Sequence, residues 1–101
     1  MAEYLKVSTL SEVDQGCSKI VNVGDQEVAL FNVDGKIYAC GNTCLHRGGP
    51  LGEGRLEGNI VTCPWHAWKY DVTTGTFMAD PSQKVPTYKT KVEGQDIYVE
   101  V

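Results

Sequence analysis

The sequence predicts an all-β protein whose base is a small antiparallel sandwich or barrel. Apolar and polar residues alternate over short runs, so that Ile97, Val99 and Val101 share one face of the last predicted strand. Dipeptides that favour tight turns, such as Asp34-Gly35, separate these runs. No segment of the sequence sustains the i, i+3, i+4, i+7 spacing of an amphipathic helix. With 101 residues, the chain is long enough for one domain and too short for two.

The first predicted strands follow one another as hairpins. They are rich in β-branched and aromatic residues, and they comprise Lys19–Val23, Glu27–Val33 and Lys36–Cys40, with turns at Gly24-Asp25 and Asp34-Gly35. Within the first strand, Ile20 should face away from Val21 and Val23. Ahead of these strands, Thr9–Asp14 is compatible with one short helical turn.

Two further hairpins are predicted in the second half. Arg55–Glu57 should pair with Ile60–Thr62 around Gly58-Asn59. The chain should end in a hairpin made by Thr87–Val92 and Asp96–Val101.

The charge pattern excludes some classes of partner. The net charge is −4 and is spread along the chain, whereas nucleic acids and anionic membranes call for a basic surface. Apolar runs such as Val28–Phe31 are too short to span a bilayer. The first residues lack the pattern of a secretory signal, so we expect a cytoplasmic protein whose thiols stay reduced.

One long loop departs from the rhythm of short strands. Gly41–Gly54 is dominated by glycine and polar residues, and ordered loops of this length are often functional. It contains "CLHRGG" (Cys44–Gly49), and "CPWHAW" (Cys63–Trp68) follows the next predicted hairpin. Each stretch holds one cysteine and one histidine, and the chain has only these two histidines.

The predicted hairpin explains how the two stretches can meet. Pairing around Gly58-Asn59 places Gly54 beside Cys63 at the open end of the hairpin, so both loops emerge at the same tip. Zinc would accept two thiolates and two imidazoles. Zinc fingers, however, group their cysteines on one arm, whereas the mixed pairs suit a dinuclear centre in which each loop supplies a ligand to both metals.

These motifs resemble those of the Rieske 2Fe–2S family. The chain has Cys44-Leu45-His46, a gap of sixteen residues, and then Cys63-Pro64-Trp65-His66. The resemblance extends over the whole chain and implies a single Rieske domain, residues 1–101, with a cluster-binding subdomain of two loops, residues 41–83, inserted in the β base. It implies that Cys44 and Cys63 bind one iron and that His46 and His66 bind the outer iron.

The resemblance also suggests supporting roles for neighbouring residues. Gly48 and Gly49 would let backbone amides approach the cluster, although both could simply form a turn. Pro81 would start a third loop over the cluster. Arg47 is either a docking charge or a solvated side chain. Of the tryptophans beside the second pair, Trp65 and Trp68, one is expected in the core and the other at an apolar docking rim.

Two departures from membrane-bound members of the family bear on the redox potential. Those proteins carry an extra cysteine in each loop, and the corresponding residues here are Gly49 and Trp65, so the disulfide between the loops is absent. A hydroxyl donor of those proteins corresponds to Trp68, while Tyr70 retains the second donor. We therefore expect a potential in the lower half of the Rieske range of roughly −150 to +300 mV.

The function that the resemblance implies is electron transfer by a protein that is not itself an enzyme. We expect a monomeric carrier that takes electrons from a flavin-dependent reductase and passes them to a terminal oxygenase of an aromatic-ring dioxygenase or monooxygenase system. One alternative is the small Rieske subunit of a reductase such as nitrite reductase. A second is a structural zinc or protein-interaction module. Cys17 and Cys40 have no neighbouring histidine and are expected to be small buried residues.

Overall fold

The structure, a computed structural model, describes residues 3–43, 50–64 and 68–100. Every regular element longer than a single 3₁₀ turn in this part of the chain is a β-strand. The strands are β1 (Tyr4–Thr9), β2 (Ser18–Val23), β3 (Gln26–Val33), β4 (Lys36–Gly41), β5 (Arg55–Glu57), β6 (Ile60–Thr62), β7 (Lys69–Asp71), β8 (Thr76–Phe77), β9 (Thr87–Tyr88), β10 (Thr90–Glu93) and β11 (Asp96–Glu100). The predicted all-β class is therefore confirmed.

The strands form three antiparallel sheets. The terminal sheet has the order β1-β11-β10, the central sheet β2-β3-β4-β9, and the third, which we call the loop sheet, β5-β6-β7-β8. Single 3₁₀ turns occur at Leu10–Glu12 and Leu51–Glu53, and the first confirms the helical turn predicted within Thr9–Asp14. No helix in the described ranges has the length and apolar character required to cross a bilayer.

The central sheet is covered on both faces, and β3 shows why its sequence is apolar almost throughout. Val28 and Leu30 point into a core shared with Ile97 and Val99 of the terminal sheet. The alternate residues of β3 face the opposite core, between the central and loop sheets, which contains Ala29, Phe31, Cys40, Leu51, Val61, Cys63, Tyr70, Val72, Phe77 and Val85. The period of two along the strand thus divides consecutive apolar residues between two cores.

The predicted hairpins are confirmed with their turns. At the β3–β4 turn, Asp34 and Gly35 have φ angles of 52° and 89°. This is the pair of positive values that a two-residue type I′ turn requires. β5 and β6 pair Arg55 with Thr62 and Glu57 with Ile60, as the sequence predicts.

The last predicted hairpin needs a correction. Thr87–Val92 is not one strand, because Thr87–Tyr88 pairs with β4 and Thr90–Glu93 pairs with β11. The chain changes sheets at Lys89, whose carbonyl oxygen accepts a hydrogen bond from the N–H of Glu100 over 2.8 Å. The sequence does not reveal this change of sheet, because the alternation typical of a strand continues through both β9 and β10.

The expectation for the two cysteines without a nearby histidine was half right. Cys40 is buried in the core beneath the loop sheet. Cys17 is exposed. It lies just after a turn in which its N–H bonds to the carbonyl oxygen of Asp14 over 2.9 Å, before β2 enters the central sheet.

Candidate metal centre at the tip of the loop sheet

The base of the second loop is a narrow mouth between β6 and β7. Thr62 pairs with Lys69, and Cys63, the first residue after β6, donates its backbone N–H to the carbonyl oxygen of Trp68 over 2.7 Å. Cys63 is only 1% exposed. The thiol that the sequence assigns to the metal therefore sits at the inner edge of the loop, on the core side.

The base of the first loop is held by Asn42. Thr43 forms an isolated β-bridge with Pro50, so the residues on either side of segment 44–49 lie next to each other. The carbonyl oxygen of Asn42 accepts a hydrogen bond from the N–H of Leu51, and its side-chain Oδ1 accepts one from the N–H of Gly52, both over 2.7 Å. The predicted long loop is consequently shorter than Gly41–Gly54, because Leu51–Glu53 forms a 3₁₀ turn.

Strand β2 of the central sheet also contacts the base of the first loop. The hydroxyl of Ser18 donates to the carbonyl oxygen of Gly52 over 2.8 Å. Ile20 points the same way, away from Val21 and Val23 as predicted, and a Cβ on Gly52 would lie 2.3 Å from Ile20 Cγ1. The first loop is thus attached to the rigid part of the molecule at its return end.

The two loop bases lie side by side. Gly54 is so close to β6 that a Cβ there would lie 2.3 Å from the carbonyl oxygen of Thr62 and 3.0 Å from Val61 Cγ2. Cys63 follows Thr62 directly. The hairpin therefore does what the sequence predicts, bringing the return end of the first loop next to the start of the second.

Three aromatic rings support the second loop from beneath. Trp68 stacks on Phe77 with a centroid distance of 4.1 Å and an interplanar angle of 6°, and Tyr70 contacts the same phenyl ring at 5.5 Å. Tyr70 is 1% exposed and shares a core with Cys63. Trp68, by contrast, is only half-buried, so it combines core packing with a surface position.

Pro81 lies in an exposed turn that follows β8. Asp80 shapes this turn by accepting hydrogen bonds from the Ser82 hydroxyl over 2.6 Å and the Ser82 N–H over 3.1 Å. The Ser82 hydroxyl and the Gln83 amide hold the pKa of Asp80 below its usual value. The N–H of Asp80 bonds to the carbonyl oxygen of Phe77 over 3.2 Å, which connects this turn to the aromatic stack.

The other predicted site residues lie outside the described residues. They are Cys44, His46, Arg47, Gly48, Gly49, Trp65 and His66. The ligand set and the roles given to these residues therefore stay predictions. Within ranges 3–43, 50–64 and 68–100, no three histidine, cysteine or acidic side chains come together as a metal site, so the described part of the fold offers no competing centre.

Sequence reasoning missed two residues that shape the site. Asn42 organises the first loop, and its only sequence signal is the general tendency of asparagine to bond backbone groups at turns. Phe77 packs against both Trp68 and Tyr70 at the base of the second loop. Nothing in its local sequence indicates these contacts, because both partners come from other parts of the chain.

The described residues fit a metal centre held between two loops. A buried cysteine lies at the inner edge of one loop, and the base of the other loop is fixed beside it by Asn42 and by the close approach at Gly54. An all-β protein with two adjacent loops, each carrying one cysteine and one histidine in its sequence, defines the class of small iron–sulfur proteins with mixed ligands.

Comparison with known proteins gives the particular family. The profile of the Rieske [2Fe-2S] domain matches residues 3–89, and the chain belongs to this family. The ferredoxin component of a naphthalene 1,2-dioxygenase system from Pseudomonas aeruginosa is 35% identical over 100 residues, which is 98% of this chain and 96% of the relative. The resemblance read from the motifs is thereby confirmed, as is the 2Fe–2S cofactor, and the zinc alternative falls away.

Solved structures show the same relationship. The ferredoxin of carbazole 1,9a-dioxygenase from Nocardioides aromaticivorans IC177 superposes with a TM-score of 0.88 at 29% identity, covering 95% of each chain. A chain from a complex of reduced oxygenase and oxidised ferredoxin in carbazole 1,9a-dioxygenase superposes with a TM-score of 0.86 at 32% identity, covering 95% of this chain and 91% of the other. The fold is therefore that of Rieske-type ferredoxins.

Proposed function

We propose that this chain is the ferredoxin of an oxygenase system, carrying one electron at a time from a flavin-dependent reductase to a terminal oxygenase. The observation that supports this most directly is the similarity, over 98% of its length, to a ferredoxin component of a dioxygenase system. The chain is a carrier and not an enzyme on its own. The cluster, when bound, supplies a centre that accepts and releases a single electron.

The proposed ligands are Cys44, His46, Cys63 and His66. Two supports come from the described residues: Cys63 is buried at the mouth of the second loop, and Gly54, after the return of the first loop, lies against Thr62, the residue before Cys63. A buried position suits the iron that thiolates bind. His46 and His66 would bind the outer iron, and the second ring nitrogen of each could then carry an N–H whose acidity depends on the charge of the metal.

We place the cluster-binding part of the chain within residues 41–83 and treat the remainder as a β base. The loop sheet and both loop bases fall inside this range, while the central and terminal sheets are built from residues on either side of it, apart from Gly41 at the end of β4. The base would then act as a rigid support, since Ser18 and Ile20 of β2 hold the return end of the first loop.

Tyr70 is the residue beneath the loop that is best suited to tune the redox potential. It is buried in the same core as Cys63, and its hydroxyl is a donor of the kind that stabilises a cluster as it gains negative charge. Trp68 offers no hydroxyl. With one such donor and no disulfide between the loops, the potential should lie in the lower half of the Rieske range.

The proposed partners are two proteins that dock in turn. We expect His46 and His66 to provide the exit for the electron, because a partner docked over their rings would shorten the transfer path. We place the protein in the cytoplasm, where a reductase can supply electrons from reduced nicotinamide. A small subunit of a nitrite reductase is the less favoured function, because the relatives described above are ferredoxin components.

The test begins with the purified protein after anaerobic reconstitution with iron and sulfide. We expect iron and acid-labile sulfide in equal amounts, with reduction by a flavoprotein reductase and NADH. Mixing the reduced protein with the terminal oxygenase component of a naphthalene 1,2-dioxygenase system should then reoxidise it. Zinc without sulfide would contradict the assigned cofactor. Stable copurification with a large reductase subunit, together with no reoxidation by the oxygenase, would favour the nitrite reductase alternative.

A further inference from the structure

An apolar surface lies beside the second loop, and the electron-carrier chemistry alone does not require it. We call it the lateral patch: Trp68, Phe77, Met78 and Ala79, with Lys69 at its rim. Met78 is 51% exposed, more than Leu5 (44%) or Val92 (40%), the other exposed large apolar side chains in the described part of the chain.

The patch is preformed. The indole of Trp68 lies flat on the ring of Phe77, with a centroid distance of 4.1 Å. The N–H of Met78 bonds to the carbonyl oxygen of Lys69 over 2.9 Å, which fixes the methionine backbone beside the stack. The stacked aromatic rings lose little conformational entropy on contact, and the exposed methionine beside them can adapt to the shape of a partner, a combination suited to binding another protein.

The patch is continuous with the loop that carries the proposed redox ligands. Trp68 follows the segment 65–67, which contains His66, and its carbonyl oxygen accepts the N–H of Cys63 over 2.7 Å. A protein seated on the patch would therefore be connected to Cys63 through Trp68 and a single hydrogen bond. Leu5 and Val92, in contrast, belong to the terminal sheet, which the central sheet separates from the loop sheet.

We propose that the terminal oxygenase covers the lateral patch when it docks. This inference rests on the proposed function. The oxygenase is the chosen occupant because the patch is linked to Cys63 by the hydrogen bond from its N–H to Trp68, and because a similar chain with a TM-score of 0.86 comes from a complex of oxygenase and ferredoxin. A second copy of this chain is disfavoured, because two molecules with a net charge of −4 repel each other.

The test uses the cluster-loaded protein and the terminal oxygenase component of a naphthalene 1,2-dioxygenase system. Met78→Glu places a charge at the most exposed point of the patch, and Met78→Leu preserves the apolar contact. Leu5→Glu and Val92→Glu are matched controls on the terminal sheet. For each variant, the apparent KM for the ferredoxin is measured in oxygenase turnover and in reduction by the reductase, together with the midpoint potential and the melting temperature.

We expect Met78→Glu to raise the KM in oxygenase turnover at least tenfold, with the potential, the melting temperature and reduction by the reductase unchanged. Met78→Leu, Leu5→Glu and Val92→Glu should stay within about twofold of the wild type.

A Met78→Glu protein with an unchanged KM would overturn the proposal. An equal or larger loss in the reductase assay would overturn the choice of occupant and assign the patch to the reductase. An equal loss in the control variants would also overturn the proposal, since added charge alone would then explain the effect. If the wild type fails to reduce the oxygenase, the proposed function fails and this inference fails with it.

Discussion

The backbone N–H of Cys63 donates to the carbonyl oxygen of Trp68 over 2.7 Å, and this hydrogen bond closes the second loop. It links a buried residue, whose thiol the sequence assigns to iron, with a half-buried indole that stacks on Phe77. The backbone therefore connects the proposed iron ligand Cys63 directly to Trp68 of the lateral patch.

Replacing His66 by cysteine tests the ligand set. A thiolate in place of a neutral imidazole adds a negative charge to the oxidised centre, so an incoming electron is less favoured and the potential should fall sharply, or the cluster should fail to assemble. Redox titration followed by visible absorption and EPR measures this. Cys40→Ser is the control and should keep the wild-type spectrum. An unchanged spectrum and potential in His66→Cys would show that His66 is not a ligand.

Replacing Tyr70 by phenylalanine removes the hydroxyl proposed to act on the cluster. A hydrogen bond that is stronger by about 1 kcal/mol in the reduced state corresponds to a potential lower by about 40 mV once it is lost, because 59 mV equals a tenfold change for one electron. The spectrum should persist, since the ring still packs on Phe77. A midpoint potential within a few millivolts of the wild type would rule out this role. Phe77→Leu is the control that disturbs the packing without removing a hydroxyl.

Gly54→Ala tests the close approach of the two loop bases. The added Cβ would lie 2.3 Å from the carbonyl oxygen of Thr62, a backbone atom, so β5 must shift away from β6. We expect a loss of about 1 to 3 kcal/mol in the free energy of unfolding, measured by urea denaturation, and weaker retention of the cluster. Alanine at Glu53, the exposed neighbouring residue, should change neither quantity. Equal free energies of unfolding for Gly54→Ala and Glu53→Ala would contradict the prediction, because the two loop bases could then move apart without loss of stability.

Thiol labelling should separate Cys17 from Cys40. Cys17 is exposed and should react with iodoacetamide at pH 8 in the native protein. Cys40 is buried, and its thiol lies 3.2 Å from the carbonyl oxygen of Val72. Burial, aided by the charge of Asp71, raises the pKa of Cys40 to about 12, so the reactive thiolate is scarce at every pH below that value.

The same raised pKa predicts a pH dependence of stability. An unfolded cysteine loses its proton near pH 8.5, whereas folded Cys40 keeps it, so the stabilising contribution is complete below about pH 8.5 and is lost as the pH rises toward 12. Urea denaturation checks this: unfolding at pH 10 should need less urea than at pH 7. In a separate labelling experiment in urea, mass spectrometry should find Cys40 modified. Rapid native labelling of Cys40 would contradict its burial.

The sequence by itself determined the hairpins β2–β3–β4 and β5–β6, their turns and the paired motifs. Alternation and turn dipeptides depend on neighbours a few residues apart, so the β3–β4 turn at Asp34-Gly35 and the pairing of Arg55–Glu57 with Ile60–Thr62 could be predicted. The position of Cys63 beside Gly54 followed from that pairing alone. The paired motifs also indicated the family, which the profile match over residues 3–89 confirms.

Only the tertiary structure decided which surfaces those strands share. The change of sheet at Lys89 depends on two partner strands distant in sequence, β4 and β11, which local alternation cannot distinguish. The exposure of Cys17 and the contact of Trp68 with Phe77 likewise depend on how sheets pack, because burial is a property of both surfaces in a contact. Residue types and spacing specify the chemistry of this protein, whereas long-range packing specifies how that chemistry is presented to a partner.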